Sequence, residues 1–312
     1  MDTIYFNRQL SDDERRARLY DGQIFIYSAR PSTQGLIQLA RDLCEEMFAP
    51  HHPREAQHHL DTHQYVEILA TLKPRFIHHP KAKECIREIL DEFGCDLNTT
   101  FFDVPRLRTS TCNEYLTAGL GYAFEPHRDT WYSTPMCQLN WWLPVYDIEP
   151  ENTMTFYPKY WSQRIKNSSD EFNYQEWTQT GRKAAPKLVK ADTRKQSAAL
   201  EPVDPESQLR PVIEAGGLLI FSGAHLHATV PNTSGVTRLS IDFRTVHLEE
   251  LPENRGAPNI DSACGGTTIR DYLRGTDLAH VPEDVCAIFE SGLPSAGAPQ
   301  AAKPFATMRT VQ

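Results

Sequence analysis

The sequence has no run of about 18 or more apolar residues, the length needed to cross a bilayer. Its opening stretch, "MDTIYFNRQLSDDERRARLY", is too charged for the apolar centre of a signal peptide. No membrane span and a cytoplasmic location are therefore expected. Paired cysteines are missing too. The seven cysteines, at positions 44, 85, 95, 112, 137, 264 and 286, are odd in number and contain no CxxC, which fits separate reduced thiols better than a disulfide framework or a zinc knuckle. Positive charge is not in excess: a net charge of −9 argues against nucleic acid as the main partner, because phosphate binding needs a strongly cationic face. No internal repeat is present. What remains is a chain of 312 residues, 40% hydrophobic and 23% charged, long enough for a sizeable buried core. Small molecules or another protein are left as partners, and the oligomeric state is not legible.

The hydrophobic period changes along the chain. Residues 23–27 ("QIFIY") read as a short strand, and residues 32–48 carry apolar side chains at helical spacing behind a Ser/Thr cap. Further helices are expected near 63–78 and over 80–93, the second closed by Gly94. From residue 97 the period becomes 2, with strand candidates at 98–108, 119–127, 137–146, 153–158, 216–223, 227–231 and 237–246, separated by Pro, Gly, Asn and Asp. The pattern predicts an α+β, mainly β protein: a helical N-terminal region (1–96) packed on a sandwich or jelly-roll core (97–250). A C-terminal helical cap (251–284) and a flexible tail (285–312) follow. An insertion at 161–205 interrupts the strands. Residues 161–200 carry eight Lys or Arg against four Asp or Glu, a local +4, so the stretch is either a lid or a surface loop.

Chemistry enters at residues 121–144, "GYAFEPHRDTWYSTPMCQLNWWLP". Three His-x-acid pairs occur in the chain. His59–Asp61 lies in a stretch read as helical, where residues two apart face nearly opposite sides, and His247–Glu249 sits at the fraying end of a strand. Only His127 and Asp129 lie at the end of an alternating strand, which would put both side chains on one face. A metal wants a third ligand, and "SGAHLHATVP" offers His225 and His227. Two imidazoles and one carboxylate with open positions make the donor set of non-haem Fe(II) oxygenases, and the absence of a thiolate disfavours structural zinc. Arg238 follows His227 by eleven residues, with Ser240 on the same face of the next strand, a fork suited to the far carboxylate of a dicarboxylic acid.

His127-x-Asp129, His227 and Arg238-x-Ser240 together resemble the motif of the Fe(II)/2-oxoglutarate-dependent oxygenases. "FSGAHLHATVPNTS" and "PENTMTFYP" look closest to the phytanoyl-CoA dioxygenase-like branch. The resemblance covers roughly residues 99–246. It implies a double-stranded β-helix (jelly roll), with His127, Asp129 and His227 as metal ligands and catalytic centre; His227 is preferred to His225 on its spacing to Arg238 and Pro231-Asn232. It also implies Fe(II), 2-oxoglutarate and O2 as cofactor and cosubstrates, with Arg238 and Ser240 holding the distal carboxylate, decarboxylation to succinate, and oxidation of a substrate C–H bond. Relatives that halogenate have a small residue in place of the carboxylate that Asp129 supplies here, so hydroxylation is expected first, ahead of desaturation, cyclisation or epimerisation.

Other residues are ranked around that core. Alternation lets Gln138 and Asn140 share a face and reach the keto acid, while Leu139 and Trp141 face away. Trp131, Tyr132, His225 and Arg108 are candidates for the substrate mouth, although Arg106 and Arg108 also suit a solvated face and the aromatics also suit packing. The early group His51, His52, His58, His59 and His63 reads as a solvated helix edge without a third ligand. The cationic insertion invites a small polar or anionic metabolite, free or carrier-linked. Two readings compete with an oxygenase: a jelly-roll metal-binding protein without turnover, and a cupin-like isomerase or hydrolase with another divalent metal.

Overall fold

The computed structural model describes residues 4–121, 123–181 and 184–293. Four helices lie in the first third of the chain, each with a local reason to start. In α1 (Asp12–Tyr20) Ser11 caps the Glu14 amide while Glu14 reaches back, and three acidic residues fill the first turn. Helix α2 (Pro31–Phe48) starts on a proline, which loses nothing at a position where the amide would be unpaired. Asp61 caps α3 (Thr62–Ile77) through the His63 and Gln64 amides, and α4 (Pro80–Glu92) again begins on proline.

The strands are β1 (Ile4–Phe6), β2 (Ile24–Tyr27), β3 (Thr100–Phe102), β4 (Arg106–Ser110), β5 (Leu139–Pro144), β6 (Met154–Phe156), β7 (Leu218–Ser222), β8 (His227–Thr229), β9 (Arg238–His247) and β10 (Leu273–Arg274). Eight of them make one sheet in the order β1-β2-β7-β5-β9-β3-β10, with β4 also paired to β9, and β6 and β8 form a second, two-stranded sheet. Apart from the parallel β1–β2 pair, the large sheet is antiparallel. One of its faces carries Leu139, Trp141, Leu143, Ile220, Leu239, Ile241 and Phe243, which join Leu36, Leu43, Leu69, Ile86 and Ile89 of α2, α3 and α4 in the main core. The other face turns toward the small sheet over a smaller core that includes Trp142, Leu219, Phe221 and Phe156. The site lies on this second side.

The protein is thus mixed α/β with a large sheet, and several local expectations change. Residues 98–108 form not one strand but two, β3 and β4. Asp103 diverts the Arg244 amide to its own carboxylate (2.7 Å) and Pro105 has no amide to donate. Residues 119–127 do not form a strand at all: Gly119–Gly121 is a 3-10 turn with Gly119 at φ +62, and no strand covers the remaining described residues up to His127. The N-terminal region is not only helical, since β1 and β2 extend the main sheet. In place of a helical cap over 251–284 stand turns, a 3-10 turn at Ile269–Asp271 and β10. Gly256 and Gly266 adopt positive φ and Pro252, Pro258 and Pro282 punctuate the stretch. A last helix, α5 (Glu283–Ser291), occupies the start of the expected tail, and residues 294–312 lie outside those described. His59 precedes α3 and stacks on His51 (4.5 Å between centroids), and Asp61 is the helix cap, so the "HHLDTH" stretch is not continuous helix. No helix among the described residues is long and apolar enough to cross a membrane.

Candidate metal centre

His127 and His227 face each other across an isolated antiparallel bridge, each backbone amide donating to the other's carbonyl at 2.9 Å. Asp129 then opens a 3-10 turn, Asp129–Tyr132, ended by Ser133 at φ +64. Arg128, between the two, is buried and fixes this turn. It donates to the carbonyls of Ala224 (2.7 Å), Tyr160 (2.6 Å) and Gln163 (3.0 Å) and pairs with Asp261 at 3.0 Å. His127 and Asp129 therefore come to one side through a bridge and a turn, not through strand alternation. His127 Nε2 lies 3.5 Å and His227 Nε2 4.0 Å from Asp129 Oδ1.

Among the described residues this trio is the one group of three or more His, Cys, Asp or Glu whose ligand atoms lie within 4.8 Å of one another. The Nδ1 atoms of His127 and His227 lie 2.8 and 2.9 Å from the carbonyls of Glu125 and His225. Donation from Nδ1–H fixes the tautomer and leaves both Nε2 lone pairs pointing at the carboxylate, as a divalent ion requires. Burial, then His127, pushes His227 down to about 4, so it is neutral at pH 7. For Asp129 burial acts upward, but the Arg244 guanidinium and the two imidazoles outweigh it and hold the carboxyl well below its usual range. The donor set fits Fe(II). The early histidines form no such group among the described residues.

The polar face of β9 continues the site. Arg238 is buried, donates from Nη1 to the carbonyls of Asn152 and Thr153 (3.2 Å each) and lies 5.7 Å from the Trp142 ring, while its Nε and the Ser240 hydroxyl have no hydrogen-bond partner. Burial lowers its pKa, to about 10, and it stays charged. Of the buried arginines described, Arg15 pairs with Asp12 and Arg128 with Asp261; Arg238 has no acidic partner. An unmatched buried cation beside an unpartnered hydroxyl fits a carboxylate that arrives with a ligand.

Gln138 and Asn140 sit as expected on this face. Gln138 Nε2 lies 3.1 Å from Asp129 Oδ2 and 3.0 Å from Asn140 Oδ1, and the Tyr272 hydroxyl donates to Gln138 Oε1 at 2.7 Å. Tyr132 stands beside the trio, edge-on to His127 at 5.5 Å. Its hydroxyl donates to the Ser197 carbonyl, which brings the insertion over the site. Trp131, a candidate for the mouth, is instead fully buried and donates to Asp261 at 2.7 Å, because the 3-10 turn rotates it into the core of Tyr157, Ile165 and Leu226. His225 is not a fourth ligand: it lies against Trp161 at 4.6 Å, and burial pushes its pKa down to about 3. Arg108 lies 5.5 Å from the Phe124 ring, which packs 5.0 Å from His127, yet Arg108 also pairs with Asp242 (Nη2–Oδ2 3.1 Å) and Arg106 with Asp103. Neither arginine is simply solvated. The sequence reading missed Arg244 and Asp242, although Arg238, Ser240, Asp242 and Arg244 alternate and continuing the period by two more steps would have found them.

Residues 40–240 match the family model described as phytanoyl-CoA dioxygenase (PhyH), more than half of the 312-residue chain. The chain belongs to the phytanoyl-CoA dioxygenase family, an Fe(II)- and 2-oxoglutarate-dependent group. No curated protein matches it. Among solved structures it is similar to EvdO2 from Micromonospora carbonacea var. aurantiaca complexed with 2-oxoglutarate, at 14% identity and TM-score 0.37, covering 56% of this chain and 62% of that one. It is similar also to the epimerase SnoN in complex with Fe3+, alpha ketoglutarate and nogalamycin RO, at 15% identity and TM-score 0.39, covering 75% and 83%. The chain spans less than two thirds of EvdO2, and likenesses this distant say nothing of its own substrate.

Proposed function

We propose that the protein is an Fe(II)- and 2-oxoglutarate-dependent oxygenase that hydroxylates an unactivated C–H bond of a small polar or anionic metabolite, with release of succinate and CO2. In this reading residues 97–250 are the catalytic core, a double-stranded β-helix whose two sheets face each other across the site, and 161–205 is an insertion that covers it. His127, Asp129 and His227 hold the metal through two Nε2 atoms and one carboxylate oxygen. Bound iron supplies the activation of O2 and the oxidation of the C–H bond, and the protein supplies orientation and exclusion of water. Arg238 and Ser240 take the distal carboxylate of 2-oxoglutarate, and Gln138 and Asn140 keep amides close to its metal-facing end. Tyr132, Phe124 and Arg108 flank the open side, where a substrate has to enter. Retention of Asp129 supports hydroxylation over halogenation, which needs an extra open position at the metal.

The observation that carries the proposal is Arg238, a buried guanidinium with no acidic partner among the described residues, on β9, the strand that follows that of His227 in the chain. A metal-binding protein without turnover, or a cupin-like isomerase, has no use for it, since an unpaired buried arginine destabilises the fold. Anaerobic reconstitution with Fe(II) followed by 2-oxoglutarate tests the reading. A weak visible charge-transfer band is expected in the wild type, and in Arg238→Ala it needs far more 2-oxoglutarate. Iron binding without any band would rule the proposal out.

A further inference from the structure

Asp129 presents its two oxygens to two different environments. Oδ1 faces the histidines, at 3.5 Å from His127 and 4.0 Å from His227. Oδ2 turns away, toward Gln138 Nε2 at 3.1 Å and Arg244 Nε at 3.6 Å. Arg244 is itself held on its far side, by Asp103 (Nη1–Oδ2 3.2 Å) and Asp242 (Nη2–Oδ2 3.8 Å). Asp103 also accepts the Arg244 amide at 2.7 Å, which anchors the backbone on the same group. Gln138 is oriented in turn by the Tyr272 hydroxyl.

We infer that Arg244, braced by Asp103 and Asp242, is the positioning residue that locks the Asp129 carboxylate with one oxygen toward the metal, and that Tyr272 does the same through Gln138. The inference rests on the metal site proposed above. A carboxylate on a short side chain is free to rotate about its terminal bond. One hydrogen bond to Oδ2, from Gln138, and the Arg244 guanidinium charge 3.6 Å from the same oxygen restrict that freedom and leave Oδ1 as a single-oxygen ligand. The guanidinium also neutralises the buried carboxylate before metal arrives, so the empty site does not carry an unpaired anion. The Asp103–Arg106 and Asp242–Arg108 pairs continue the chain toward half-buried arginines, which keeps Arg244 from swinging out to take substrate or 2-oxoglutarate itself.

The test is anaerobic titration of the full-length chain with Co(II), followed by its visible d–d spectrum, in wild type, Arg244→Met, Arg244→Lys and Tyr272→Phe. Loss of an outer partner of a metal ligand typically costs about 10–100-fold in affinity. Arg244→Met is expected to bind Co(II) at least tenfold more weakly with an altered spectrum, Arg244→Lys to recover part of the loss, and Tyr272→Phe to lose only a few-fold. At saturating metal the 2-oxoglutarate requirement stays at the wild-type value, because Arg238 is untouched. Wild-type affinity and spectrum in both Arg244 variants would overturn the inference while leaving the proposed function standing. Absence of Co(II) binding by the wild type would overturn both. Should Arg244→Met not fold, Arg244→Lys still decides, since unchanged affinity and spectrum there would show that the geometry at Oδ2 is immaterial.

Discussion

The two faces of β9 are built on different principles. Leu239, Ile241 and Phe243 point toward the helices, all buried in one apolar core. Arg238, Ser240, Asp242 and Arg244 point the other way and form a line of buried or half-buried polar groups. On the first face each side chain is exchangeable for another of similar volume, because burial is non-directional. On the second, each charge is tolerable only with its own partner. Arg244 has Asp129, Asp103 and Asp242; Asp242 has Arg108. Arg238 has no ion pair among the described residues, and in the proposed function that gap is where the distal carboxylate of 2-oxoglutarate binds.

The comparison breaks first at the metal. Asp129→Ala removes the one anionic ligand, so succinate formation is expected to fall to background, with iron affinity lost by well over the roughly 100-fold typical of an outer-partner change. Turnover at the wild-type rate in this variant would refute the ligand assignment. Phe243→Ala probes the other face of the same strand: a fully buried aromatic stacked on Trp141 at 5.5 Å. Its loss is expected to cost about 3–5 kcal/mol in chemical denaturation. At a temperature where the variant stays folded, its 2-oxoglutarate requirement is expected to be unchanged.

How far such distinctions are legible in the sequence depends on which rule governs each residue. The cores were readable because alternation and helical spacing are local: β5, β7 and β9 and helices α2, α3 and α4 fall where the period predicts. Residues 119–127 were misread because a run of apolar and aromatic residues looks like a strand, while Gly119 at φ +62 and the lone His127–His227 bridge depend on a partner far along the chain. His127 and Asp129 still converge, for a reason different from the expected one, since Arg128 anchors the turn to three distant carbonyls and Asp261. Arg238 was legible from spacing, but its lack of an acidic partner was not, because a missing partner is a property of the packed molecule. Trp131 could not be placed from sequence: a 3-10 turn changes which way the residue two after Asp129 points.

Arg238→Met sharpens the comparison at the gap. The methionine fills similar volume without charge, so the 2-oxoglutarate requirement is expected to rise about 10–100-fold, a loss of about 1.4–2.7 kcal/mol in binding. In the absence of cosubstrate the same variant is expected to be as stable as the wild type or more so by about 1 kcal/mol, since a buried unpaired cation has been removed. A variant that lost stability and kept wild-type affinity for 2-oxoglutarate would show Arg238 to be structural.

The smallest effect concerns His225, buried against Trp161 and two residues from the proposed ligand His227. Burial lowers its pKa from the ordinary 6.5 to about 3. The unfolded chain therefore takes up a proton below pH 6.5 that the folded protein refuses, and stability tied to this residue, complete above pH 6.5, is lost as pH falls from there toward 3. His225→Phe keeps the ring and removes the titration. Its stability is expected to match that of the wild type at pH 8 within about 1 kcal/mol and to fall less steeply with acid, by up to about 1.4 kcal/mol per pH unit. Measured by urea denaturation from pH 8 to 4, parallel curves would show that His225 takes up its proton as readily in the folded protein as in the unfolded chain. Retained turnover in His225→Phe, against its loss in His227→Ala, would separate the packing histidine from the ligand.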